Sequence, residues 1–71
     1  MNKYIIPICD LEEVWILTIM ARSTSACQDK IIENLTDRYD IEECNNYREF
    51  VQVADSKYNI LIGDIKDIEE L

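Results

Sequence analysis

Histidine is absent from this chain, and glycine and proline occur once each. Without histidine there is no Ser-His or Cys-His pair, and the commonest general base at neutral pH is missing. One glycine rules out a glycine-rich phosphate loop. Cysteine is sparse as well: Cys9, Cys27 and Cys44 are odd in number and far apart, whereas small disulfide-stapled domains use an even and denser set. With neither a Cys-x-x-Cys pair nor a histidine, they do not make a zinc site. Three reduced thiols are expected, with Cys9 and Cys27 buried as small hydrophobes. Cys27 falls in a first helical turn, where the dipole favours a thiolate, but its place on an apolar face predicts a structural thiol.

Long apolar runs are missing too. The longest, around Val14–Ala21, is strand-sized and well short of the roughly 18 residues of a membrane span. The opening Met-Asn-Lys leads at once into an apolar strand and Asp10, without the apolar region and small-residue cleavage site of a signal peptide. We expect a complete, cytoplasmic chain that stays out of the membrane.

Positive charge is the last shortage. Seven basic residues face 15 acidic ones, for a net charge of −8. That balance opposes direct nucleic-acid binding, which needs a basic patch, and favours basic partners. It also serves solubility, with no acidic-face function implied.

What is present suits one small domain. With 71 residues, 48% of them hydrophobic, the chain has enough apolar surface for a core, though a domain of this size has a thin stability margin. Tyr4–Cys9 reads as a first strand, and Pro7 predicts that it lies at a sheet edge or turns that position outward. Asp10-Leu11-Glu12-Glu13 is a short polar connection, suited to a hairpin. Val14–Arg22 is the second strand. Alternation places Trp15, Leu17, Ile19 and Ala21 on a core face, and Val14, Ile16, Thr18 and Met20 on the other. That second set is mostly apolar. It predicts either a central strand whose second face is partly covered, or a face that meets another chain.

Ser23, Thr24 and Ser25 offer N-cap oxygens. The helix after them carries Cys27, Ile31, Ile32, Leu35 and Tyr39 on one arc, for packing on the sheet. After a polar link holding Ile41, Asn46 and Glu49 resemble a capping box. From there Tyr47, Phe50, Val51, Ala54 and Tyr58 fit a helical face, which we favour over the local strand pattern of Val51-Gln52-Val53. Ile60–Ile65 reads as a last strand, and Gly63 marks a bulge or a close backbone approach. The tail from Lys66 extends that strand or forms a short helix. The expected fold is α+β, in the order β-β-α-α-β, with a three-stranded sheet carrying both helices on its Trp15 face. The alternative is β-β-α-β-β.

One pattern recurs: Asp10-Leu11-Glu12-Glu13, Asp40-Ile41-Glu42-Glu43 and Asp67-Ile68-Glu69-Glu70 share an acidic–aliphatic–acidic–acidic order. The residues between do not match, so these are not structural repeats, and each reads most simply as a solvated connection. The functional reading joins Asp40, Glu42, Glu43, Asp67, Glu69 and Glu70 with the helical stripe Asp29, Glu33 and Asp37. Together they form an acidic array that stands in for phosphates in a partner's basic groove. A calcium loop is not expected, because the alternating oxygen ligands and the glycine turn are missing. No cofactor or metal is predicted.

The short acidic chain, with a strand first and later Ala21-Arg22-Ser23 leading into a helix, resembles small proteins of bacteria and their phages or mobile elements. That likeness transfers no residue role. The expectation is therefore a non-enzymatic module that binds a protein partner, or itself as a homodimer, through Val14, Ile16, Thr18 and Met20. The alternative is an acidic, DNA-mimicking inhibitor of a nucleic-acid enzyme. A carboxylate- or thiol-dependent enzyme ranks last, for want of bases.

Overall fold

A computed structural model describes residues 1–68. Along the chain run β1 (Asn2–Cys9), β2 (Val14–Ala21), α1 (Thr24–Tyr39), α2 (Tyr47–Tyr58), β3 (Leu61–Ile62) and β4 (Lys66–Asp67). The fold is α+β as expected. Tyr47–Tyr58 is helical, and the last strand is split into two short pieces, β3 and β4. Every pairing is antiparallel. β1 pairs with β2 over its whole length, from Asn2 opposite Ala21 to Cys9 opposite Val14, and with β3 and β4 on its other side.

Strand order decides between the expected alternatives. β1 is central, with Pro7 turned outward rather than on an edge strand, and β2 is an edge strand rather than a central one. The reason is local. The Gly63 N–H donates to the Pro7 carbonyl at 2.8 Å, so the backbone of Pro7 faces the third strand. A strand residue's N–H and C=O point the same way, so the donor that proline lacks would also have pointed there. That is where the third strand is broken: the register runs Ile8 opposite Ile62 on one side of the break and Ile5 opposite Lys66 on the other, a slip of one residue. Proline is tolerated at such a bulge. A Cβ on Gly63 would lie 3.0 Å from Pro7 Cδ and Cγ and 3.1 Å from its carbonyl oxygen. Glycine is required here for close approach.

Both helices begin as their sequences predict. The Ser23 hydroxyl accepts from Ala26 N–H at 3.1 Å, and Asn46 Oδ1 accepts from Glu49 N–H at 2.8 Å. The Glu49 carboxylate reaches back to Asn45 N–H at 3.1 Å, closing a variant of the capping box. They end on Asp40 and Asn59, both left-handed, with φ of 55° and 56°.

The core lies between the helices and the inner sheet face. Tyr4, Ile6 and Ile8 of β1 and Leu17, Ile19 and Ala21 of β2 meet Cys27, Ile31 and Leu35 of α1 and Phe50 and Ala54 of α2. Ile41 and Ile60 close its ends. Cys9 departs from expectation: it is only half-buried, because its position opposite Val14 puts it on the outer face.

Candidate functional site

β1 and β2 are in register, so their outer faces are fixed residue by residue. Lys3 sits opposite Met20, Ile5 opposite Thr18, Pro7 opposite Ile16 and Cys9 opposite Val14. Leu61 pairs with Cys9 and Lys66 with Ile5, which puts both on the same side. Val14 is 71% exposed, Ile16 54%, Met20 45% and Leu61 55%, and Thr18 and Pro7 are exposed as well. No carboxylate occupies any of these paired positions, and the charges present, Lys3 and Lys66, are positive. In a chain of net charge −8, that face stands apart from the remaining surface.

Among the described residues, the same positions carry the free edge of the sheet. Pro7 faces the third strand, so alternation turns Ile8, Ile6, Tyr4 and Asn2 toward β2. Their partners Trp15, Leu17, Ile19 and Ala21 complete that ladder. The backbone groups of Val14, Ile16, Thr18 and Met20 therefore point away from β1 into the open edge. One side-chain contact agrees: Lys30 Nζ donates to the Met20 carbonyl at 2.5 Å. β2 contains no charged residue, proline or bulge. Edge strands are ordinarily blunted by just these features.

At the hairpin end a polar network locks the turn to the end of α1. Trp15 Nε1 donates to the Tyr39 hydroxyl at 3.0 Å, and that hydroxyl donates to Asp10 Oδ2 at 2.6 Å. Asp10 Oδ1 accepts from the N–H groups of Glu12 and Glu13 at 2.8 and 2.9 Å. The Tyr39 bond first, and then these amides, hold the Asp10 carboxyl below the usual range. Arg38 pairs with Glu13 at 3.0 Å and lies 4.4 Å over the Trp15 ring. Sequence reasoning placed Tyr39 in the core arc and missed this network. The signal available was an aspartate opening a tight turn, which commonly caps the N–H groups beyond it. The network fastens the hairpin turn to the end of α1.

The acidic residues divide. Glu33, Asp37, Glu42 and Glu43 line an open groove of about 500 Å³ beside Ile32 and Cys44, and Asp29 lies one turn back on the same helix. Asp40 caps α1, Glu42 also pairs with Lys57 at 3.0 Å, and Asp67 lies in β4, on the far side of β1 from β2. Glu69 and Glu70 lie outside the described residues. The recurring tetrads thus serve as a hairpin turn, an interhelix link and a strand end.

Cys27 is fully buried, and burial pushes its thiol up, away from the thiolate a nucleophile needs. Among the described residues, no helix is long and apolar enough to cross a membrane. No protein-family model, curated protein or solved structure matches the chain.

Proposed function

We propose that this chain is a non-enzymatic interaction module, engaging a protein through the outer sheet face and free edge at Val14, Ile16, Thr18 and Met20. One observation carries the reading. An uncharged eight-residue edge strand turns the backbone groups of Val14, Ile16, Thr18 and Met20 to the open edge, where, among the described residues, only the Met20 carbonyl is engaged, by Lys30. Beside them it exposes the apolar side chains of Val14, Ile16 and Met20. Strand addition uses this combination: main-chain hydrogen bonds give affinity, and alternate side chains give specificity. Exposed apolar surface of this kind marks partner sites in small proteins. The free thiols Cys9, Cys27 and Cys44 fit work in the reducing cytoplasm. Direct nucleic-acid or membrane binding has no support in the charge pattern.

The acidic alternative rests on the groove formed by Glu33, Asp37, Glu42 and Glu43. It is the weaker reading, because Asp10, Asp40 and Asp67 are turned to structural positions elsewhere. Photo-reactive residues placed at Ile16 and at Glu33 in the native host separate the two. We expect protein adducts from position 16. Adducts from position 33 alone, with a basic nucleic-acid-binding protein as the product, would replace this reading with the mimic.

A further inference from the structure

We infer that the occupant of the free edge is a second copy of this chain, paired antiparallel β2 to β2 about a two-fold axis at Ile16. This rests on the proposed use of that edge and names its partner. An isologous strand pair must be self-complementary, and the ends of β2 meet that condition. Asp10, Glu12 and Glu13 lie at its start, where the one guanidinium of Arg38, paired with Glu13, leaves the cluster net acidic. At its finish lie Arg22, Lys3 opposite Met20, and Lys30 on the Met20 carbonyl. Antiparallel pairing of two copies brings each acidic end beside the other's basic end, whereas parallel pairing sets like charges together.

The hydrogen-bonding phase selects the register. Only Val14, Ile16, Thr18 and Met20 face the edge, so only these residues can form the closely bonded pairs. The Met20 carbonyl is already held by Lys30. Of the registers that leave this contact intact, the one that pairs the most edge-facing residues of β2 sets Ile16 opposite its own copy and Val14 opposite the partner's Thr18. It brings the acidic turn of one copy opposite Met20 and Lys30 of the other. On the outer face, valine, isoleucine and threonine then meet directly across the axis, and β-branched cross-strand pairs of this type stabilise sheets. The product is one continuous sheet with the former edge closed.

Sedimentation equilibrium of the purified chain should give twice the mass of a single chain. Thr18→Pro removes an edge-facing N–H and no β1 bond, so it should return the mass to that of one chain while the far-UV circular dichroism is kept. If that variant misfolds, Ile16→Lys serves the same purpose at an exposed side chain. Register is read in a Cys9→Ser/Cys44→Ser background with a short bis-maleimide. Ile16→Cys should cross-link efficiently, its Cα lying about 5.5 Å from its copy. Met20→Cys should not, because eight residues of offset separate the two copies by about 27 Å. A strict monomer at the highest attainable concentration overturns the inference. So does a dimer that survives in folded Thr18→Pro, or one that cross-links equally from Met20. A monomer that still gives adducts to another protein from position 16 in cells removes the second copy but leaves the interaction surface standing.

Discussion

Asp10 accepts from three donors at once, the Tyr39 hydroxyl and the N–H groups of Glu12 and Glu13. All three favour the ionised form, so its pKa in the folded chain is depressed below the ordinary value of 3.8. Folding therefore favours proton release. The resulting stability is fully present above 3.8 and is lost as pH falls through the lower folded value. Urea denaturation should show wild type more stable than Asp10→Asn near neutrality, with the gap closing in acid below that range. A gap independent of pH would mean that the carboxylate's charge contributes nothing. Asp40 makes a second, opposite case. It holds a left-handed conformation, φ 55° and ψ 46°, at the C-terminus of α1, where a negative charge also opposes the helix dipole. Asp40→Gly relieves both and should raise stability by about 0.5–1 kcal/mol, visible as a higher thermal midpoint.

At the scale of elements, β1 and the broken third strand depend on each other. Gly63→Ala would drive a methyl to 3.0 Å from the Pro7 ring and 3.1 Å from its carbonyl oxygen. Steric overpacking of this kind costs about 1–3 kcal/mol. In a Pro7→Ala background the ring atoms are gone but the carbonyl stays, so the same substitution should cost less without becoming neutral. A double-mutant cycle in urea measures that coupling; additive penalties would dismiss the contact. The same pair explains what the sequence conceals. The caps at Ser23 and Asn46, the inward arc of α1, the Trp15 face and the helix from Tyr47 all follow from local periodicity and chemistry. Strand order does not. The rule that proline avoids central ladders holds, yet it is met here by a bulge at Gly63, far downstream, as the Gly63–Pro7 bond shows. That compensation is long-range, and no local pattern encodes it. The outer set Val14, Ile16, Thr18 and Met20 was legible from alternation, whereas the freedom of its backbone groups depends on β2 being the edge.

For the whole molecule, two isoleucines separate what the monomer needs from what it does not. Ile31 is fully buried against the sheet, whereas Ile16 is more than half exposed on the outer face. Truncating a buried isoleucine costs about 2–5 kcal/mol. That is a large share of the roughly 4–10 kcal/mol expected for a domain of this length. Ile31→Ala should therefore lower the denaturation midpoint sharply at any protein concentration. Ile16→Ala removes a side chain with little packing to lose, and in dilute solution it should shift stability by no more than about 0.5 kcal/mol. The comparison sharpens with concentration. If two copies pair at Ile16, association stabilises the folded state by mass action, and the wild-type thermal midpoint rises with concentration. Ile16→Ala should flatten that rise, while Ile31→Ala lowers the whole curve without abolishing its slope. Calorimetry over a wide dilution series reads both effects. A wild-type midpoint that does not move with concentration would leave the aliphatic outer face serving a different protein.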